Sequence, residues 1–327
     1  MKKAIFVLFS FFCIFFVSCG KKNIVLRISE VHSADYPTSL ALSEFARLVE
    51  ERTDGRIRIE VHSDARLFDD EADAVLALQE GKLDFARVSL SIASSLSPRL
   101  NVLILPYLYK DRAHQIRVLS SEAGRRVLDS VSEDGLNLEC LCWYDSGSRS
   151  FYLKKEVHSA SDMAGLKIRV QKNDFMVKLC SLLGSTGVSG ISTNDVYRSI
   201  LNGLVDGAEN NIPTYQNVGD YQAALFYIRD EHVRIPDLLL VSQKTLAKLS
   251  KADVKIIREC ALETEAFERE LWLKKEAESE KIIRDAGNVI IELTDEEKAT
   301  FFDALQPLYS EAEEKYGDYL SEIQKIE

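Results

Sequence analysis

The chain has 327 residues, 46% of them hydrophobic, which is enough for two lobes with a core each and too apolar for a disordered protein. Its 52 acidic and 41 basic residues leave a formal charge of −11, which argues against nucleic acid as a partner. An acidic chain that binds an anion must concentrate positive charge locally, so arginines that converge on one place carry more weight than their number.

The first residues, MKKAIFVLFSFFCIFFVSCG, put two lysines ahead of an apolar run from Ala4 to Val17. As a helix that run reaches about 21 Å against a bilayer core of about 30 Å, so it reads as an export signal and not as a membrane span. Phe16-Val17-Ser18-Cys19 resembles a bacterial lipobox, which implies removal of residues 1 to 18, lipid on the Cys19 sulfur and a periplasmic, membrane-anchored protein. The alternative is an ordinary signal peptide with an incidental cysteine. Loss of Lys2 and Lys3 takes the formal charge from −11 to −13.

Beyond the signal, VLRIS from Ile24 on reads as a strand, and a helix after Pro37 carries a stripe of Leu40, Phe45, Leu48 and Val49 that ends at Gly55. IRIEVH is the next strand, a helix runs from about Asp70 to Glu80, and Gly81 delivers the chain into LDFARV. This β-α-β-α-β run predicts an α/β, doubly wound lobe. Arg125 to Ser132 reads as helix and LNLECLCWY as a strand that leaves the lobe. That strand holds Cys140 and Cys142 on one face by their i, i+2 spacing. With Cys180 and Cys260 they read as buried free thiols or as a disulfide between distant cysteines, and no spacing suits a metal.

The most informative segment is AGLKIRVQKNDFMVKLCSLLGSTGVSGISTNDVYRSILNGLVDGAENN, residues 164 to 211. In GLKIRV, Leu166, Ile168 and Val170 alternate with Lys167 and Arg169, so a half-buried strand would end at Arg169 with the guanidinium turned from the core. A helix from Asn173 to Leu183 follows, GSTGVSG turns the chain, and a second helix from Thr193 to Leu201 leads to a parallel strand that ends at Asn210. Ligands of open α/β sheets gather beyond the carboxyl ends of the strands, so Arg169 and Asn210 could meet in one pocket. Further on, Lys251 to Ala286 contains neither proline nor glycine, the length of one long helix, and NVIIEL with the capping sequence Thr294 to Glu297 adds a strand and a final helix.

These segments, with GRIRIEVHSDARLFDDEADAVLALQEGKLDFARVS at 55 to 89, LPYLY at 105 to 109 and GSRSFYLKK at 147 to 155, resemble in order and spacing the solute-binding proteins of tripartite ATP-independent periplasmic (TRAP) transporters. The resemblance implies an α/β, two-lobed periplasmic binding fold with a long helix spanning both lobes. It assigns 19 to 146 with about 236 to 275 to lobe I, and 147 to 235 with about 276 to 327 to lobe II. It also implies capture of an organic acid by closure of the cleft and delivery to a TRAP-type membrane permease. In the family the arginine matching Arg169 grips the ligand carboxylate in two-pronged fashion, supported by the positions of Arg149 and Asn210, a task that suits a planar guanidinium. Glu209, Asp70 and Trp143, with Tyr144 beside it, are further candidates for the cleft, although Asp69, Asp70 and Glu71 also suit a helix N-terminus and an aromatic at a strand end also suits a core.

Two positions depart from the family pattern: Gln171 replaces a usual proline, and Thr193 replaces a usual bulky aromatic. The ligand therefore need not be sialic acid or a C4-dicarboxylate, and a partly hydrophobic acid is also expected to fit. No cofactor is implied. The rival readings are a lipoprotein that works mainly through protein contacts, including a helical-repeat periplasmic partner, and an exported hydrolase. Against the latter there is no GxSxG, HExxH or phosphate loop, and the five histidines are scattered.

Overall fold

A computed structural model describes residues 23–327. The export signal and the lipidation site at Cys19 lie outside the described residues. Strands β1 (Ile24–Ser29), β2 (Ile57–His62) and β3 (Phe85–Ser89) alternate with helices α1 (Pro37–Arg52) and α2 (Glu71–Glu80), as the sequence predicts. Helices α3 (Leu90–Ser94), α4 (Arg112–Ser120) and α5 (Glu122–Glu133) lead to β4 (Leu138–Tyr144). A second group follows: β5 (Arg149–Leu153), β6 (Lys167–Arg169), α6 (Asp174–Leu182), β7 (Thr186–Val188), α7 (Val196–Leu201), β8 (Gly207–Asn210), α8 (Ile212–Asn217) and β9 (Phe226–Val233). The chain then returns through β10 (Asp237–Ser242) and α9 (Gln243–Leu246), and closes with α10 (Lys251–Asp285), β11 (Val289–Glu292) and α11 (Asp295–Gln324).

The strands form two sheets, ordered β2-β1-β3-β10-β4 and β11-β9-β5-β8-β6-β7. In the first, β1 to β3 are parallel and β10 runs against both its neighbours. In the second, β6, β7 and β8 are parallel and β5 runs against β8 and β9. The carboxyl ends of β6 and β8 and the amino end of β5 therefore share one edge, as do the carboxyl ends of β1 and β3 and the amino end of β10. Such edges collect polar groups that the sheet itself cannot use.

Helix α10 is about 52 Å long. Its amino-terminal half packs on α1 and β4 and its carboxyl-terminal half on α8, so Ile257, Cys260 and Ala261 feed one apolar cluster while Ile283 feeds another. This is the long helix spanning both lobes. It also fastens the crossovers between the sheets: Glu268 Oε2 accepts from Asp145 N (2.9 Å), Gly147 N donates to Asp145 Oδ1 (2.8 Å), and Ser146 Oγ donates to the Ile235 carbonyl. Gly147 has φ +64°, and a Cβ there would stand 2.8 Å from Glu276 Oε1 and 3.1 Å from Trp272 Nε1, both on α10. Helix α11, capped at Thr294 by the expected reciprocal bonds with Glu297, lies against α5 on one side and α6 and β9 on the other.

Three local expectations change. Leu40 is 38% exposed, and Ala41 and Leu42 join Phe45 and Val49 on the buried stripe of α1, because those positions recur at the helical period. Cys140 and Cys142 fall in different apolar clusters: β4 carries an extra residue, Leu141, between the partners of Leu240 and Leu239, and this bulge moves the two thiols apart. All four described cysteines are buried and free. GSTGVSG is not only a turn, since its TGV forms edge strand β7 beside β6. Gly187 makes this possible, for a Cβ there would meet Val177 Cα of α6 at 2.9 Å. Arg169 is 5% exposed and lines a cleft shared with Val31, Asp70 and Ile92 of the first group of elements.

Candidate functional site

Arg149 opens β5, Arg169 closes β6 and Asn210 closes β8, so three neighbouring strands bring these side chains to one edge. The two arginines differ in their partners. Arg149 is held on every side: Nε donates to Glu209 Oε2 (2.5 Å), Nη2 to Glu209 Oε1 (2.9 Å) and to the Glu209 carbonyl (2.8 Å), and Nη1 to Asn210 Oδ1 (2.8 Å). Burial alone would push the Glu209 carboxyl up; Arg149, with His232 beside it, overrides this and holds it down at about 2. His232 lies 3.8 Å from Glu209, bonds Asp230 Oδ2 at 2.8 Å and stacks on Phe151 with ring centroids 4.3 Å apart.

Arg169 has no carboxylate partner among the described residues. Its Nε and Nη2 both donate to the Ile191 carbonyl, at 3.0 and 2.8 Å, and Nη1 has no partner among the described residues. Burial pulls its basicity down, and Tyr152, Glu209 and Asp220, none of them bonded to it, do not make up for the loss. A buried cation of this kind is a site waiting for an anion.

The facing wall comes from the first sheet. Arg87, in the middle of β3, is 2% exposed and is gripped by Glu30 (2.5 Å), Glu71 (2.6 Å) and Asp237 (3.4 Å). Three carboxylates around one guanidinium leave this wall negative. Burial, against the pull of Arg87, pushes Asp237 up to about 7, while Glu30, for which Arg87 outweighs burial, is held at about 2. Asp237 Oδ2 accepts no hydrogen bond among the described residues and Asp237 lines the cleft.

Between the walls lies a cavity of about 30 Å³, lined by Arg149, Arg169, Asn210 and Asn211 from one side and by His32, Arg87, Ser89 and Asp237 from the other, with Glu71, Gln171 and Thr193 at its mouth. Glu71, Arg169, Gln171 and Thr193 also line an adjoining cavity of about 290 Å³ that reaches Asp70, Val31, Ile92 and Ile191, so the two are parts of one cleft. The walls touch: Tyr36 Oη and Thr214 Oγ1 are 3.0 Å apart, Ser95 Oγ donates to the Lys172 carbonyl (3.1 Å), and Ser89 Oγ to Gln171 Oε1 (3.4 Å). A larger hollow of about 550 Å³ opens beside Lys178, Glu311 and Lys315, but both of those lysines already pair with Glu311, and Lys172, which also lines it, stands 3.8 Å from Asp70.

Of the residues singled out from sequence, Arg169, Arg149 and Asn210 meet in the inner cavity, and Asp70 lines the outer one while capping α2 through Ala72 N (2.8 Å). Glu209 lies beneath Arg149 and lines neither cavity. Trp143 is a correction: it is 0% exposed and belongs to the apolar cluster that holds Val127, Leu128 and Val131 of α5, with the Arg269 guanidinium 5.4 Å from its ring centroid, so it lines neither cavity. Tyr144 is likewise buried and bonds Thr264 of α10 at 2.9 Å. Every side chain of the inner cavity is polar, while Val31, Ile92 and Ile191 line part of the adjoining one. Sequence reasoning missed Arg87, Glu30 and Asp237. Their signal was present: a charge in the middle of an apolar strand can be buried only with partners, and Glu30 and Asp237 sit at strand ends on the same edge.

A two-lobed α/β molecule that, among its described residues, buries one guanidinium without a carboxylate partner between its lobes is built to enclose a small anion. Residues 28–315 match the family model for bacterial extracellular solute-binding proteins, family 7, and the chain belongs to that family. A solute-binding protein of Chromohalobacter salexigens is 34% identical over 298 residues, covering 91% of this chain and 87% of that one. Among solved structures, a TRAP periplasmic solute-binding protein from the same organism with bound D-glucuronate superposes with a TM-score of 0.87 at 34% identity, covering 92% of this chain and 100% of the other. One from Xanthobacter autotrophicus with bound β-D-galacturonate gives a TM-score of 0.87 at 32% identity, covering 92% and 100%. The chain is thus a TRAP-type solute-binding receptor that works outside the cytoplasm.

Proposed function

We propose that this protein captures a hexuronate, a sugar acid of the glucuronate and galacturonate type, and delivers it to a TRAP-type membrane permease. The observation that carries the reading is Arg169: a buried guanidinium without a carboxylate partner, at the mouth of a cavity whose other lining groups are hydrogen-bonding side chains suited to hydroxyls. The ligand carboxylate would take Nη1 and Nη2 of Arg169, with Asn210 and an Arg149 already neutralised by Glu209 alongside. The solved relatives, at 32 to 34% identity, hold ligands of this chemistry. Asp70 contributes at the outer rim.

Capture proceeds by closure. Lobe I, 19 to 146 with about 236 to 275, and lobe II, 147 to 235 with about 276 to 327, part at the crossovers near Gly147 and Ile235, admit the solute, and shut as α10 flexes. The inner cavity, at about 30 Å³, is the size of one water, so a sugar must enter with the lobes apart. Anchoring through lipid on Cys19 would keep the receptor beside its permease, and intact-mass analysis of the membrane-extracted protein tests that point. The ligand reading is tested by calorimetry of the purified protein against D-glucuronate, D-galacturonate, succinate and N-acetylneuraminate. Binding of a uronate at least tenfold tighter than the other two acids is expected, and preference for succinate or N-acetylneuraminate would overturn it.

A further inference from the structure

The two walls of the cleft carry opposite charge, and this has a consequence for which acids fit. On the second-sheet wall Arg169 is the uncompensated cation. On the first-sheet wall Arg87 is outnumbered by Glu30, Glu71 and Asp237, all at most 12% exposed at their side chains. Glu30 spends both oxygens on Arg87, on Thr38 Oγ1 (2.8 Å) and on His32 N (2.9 Å), and Glu71 Oε2 accepts from Ser89 N (2.9 Å). Asp237 alone keeps an oxygen, Oδ2, with no donor among the described residues, and it lines the same cavity as Arg169.

We infer that Asp237, seconded by Glu71, is a selector that admits a polyhydroxy monocarboxylate and rejects the corresponding dicarboxylate. The inference rests on the uronate reading above. A solute whose carboxylate sits on Arg169 presents its far end to Asp237. A hydroxyl there donates a charge-assisted hydrogen bond to the free Oδ2. A second carboxylate there can donate nothing and meets a like charge in a cleft from which closure has expelled water, so its exclusion is built into the wall. Selectivity of this kind is achieved by repulsion, and it leaves Arg169 free to serve any monoacid of the right size.

The test compares D-glucuronate with D-glucarate, which carries a carboxylate at each end, in calorimetry at about pH 8.5, above the value of about 7 to which burial lifts Asp237. The wild-type protein is expected to prefer glucuronate by at least about 100-fold, the scale of a like-charge juxtaposition inside an interface. Asp237→Asn keeps the shape but removes the charge, so glucarate should gain affinity and glucuronate lose it, and the ratio should shrink by at least about tenfold. An unchanged ratio, or a wild-type protein that binds glucarate as tightly as glucuronate, overturns the selector while leaving the uronate reading intact. A wild-type protein with no affinity for any uronate overturns the uronate reading and the selector with it. Should Asp237→Asn fail to show a cooperative unfolding transition, Glu71→Gln carries the same comparison with the same two outcomes.

Discussion

Replacing Arg149 and Arg169 in turn by methionine should separate stability from binding, because the two guanidiniums stand in opposite electrostatic situations. Arg149→Met strips Glu209, which is 0% exposed, of both its side-chain bonds and leaves His232 at 3.8 Å as its nearest cation. A buried charge deprived of its partner costs about 3 to 5 kcal/mol of folding free energy. Arg169→Met removes a cation that has no carboxylate partner among the described residues. The Ile191 carbonyl loses its two donors, a cost of about 1 to 3 kcal/mol. Relief of the buried, unpaired charge offsets this, since desolvating such an ion costs several kcal/mol. The net change in stability should therefore stay within about 2 kcal/mol of zero. Binding reverses the order: losing the ligand's own charge partner costs about 2 to 5 kcal/mol, and a Kd higher by about 30-fold to several thousand-fold follows. Urea unfolding monitored by circular dichroism gives the first quantity and calorimetry with D-glucuronate the second. Equal destabilisation by the two substitutions, or unimpaired uronate binding by Arg169→Met, would refute the assignment of one arginine to the fold and the other to the ligand.

Three further outcomes follow from the same geometry. Burial would lower the His232 imidazole, but Asp230 and Glu209 outweigh it and raise it from 6.5 to about 9; its contribution, of order 3 kcal/mol, is full below about pH 6.5 and lost as pH rises through 9. Melting temperature should fall across that window, and His232→Gln should flatten the fall. Asp237 has the opposite dependence, being an acid raised from 3.8 to about 7: its ionisation weighs against the folded state as pH climbs through that interval, so Asp237→Asn should be more stable than wild type at about pH 8 and gain little at about pH 4. Gly147→Ala puts a Cβ at φ +64° within 2.8 Å of Glu276 Oε1, and a loss of about 1 to 3 kcal/mol in urea unfolding is expected.

Much of the fold was legible because its elements are long and their periods plain. The β-α-β-α-β opening, the uninterrupted α10 and the capped α11 all come from local pattern, and local pattern is what periodicity reports. The misreadings share one cause, which is tertiary context at short range. A bulge at Leu141 reversed the face of one cysteine, a glycine at 187 let a turn become an edge strand, and neither event changes the alternation seen along the chain. Within the site, Arg169, Arg149 and Asn210 could be found because they stand at strand ends inside recognisable segments. Arg87 could not be placed without knowing that β3 lies at the centre of its sheet, where its position requires anions that the sequence scatters over positions 30, 71 and 237.

That scattering explains why both walls need several charges when, among the described residues, one cleft cation is left for the ligand. An arginine brought alone into the cleft is desolvated whenever the lobes are shut without a ligand, at a cost of several kcal/mol. Arg87 and Arg149 avoid it by carrying their own carboxylates, which makes them struts for the sheet edges. Arg169 accepts the cost when the cleft is empty and recovers it when a carboxylate arrives, so the energy that ligand binding releases is in part the strain of an unpaired charge. Closure then reports occupancy: with the lobes together, the state that holds an anion gains the ion pair at low dielectric, and the empty state does not.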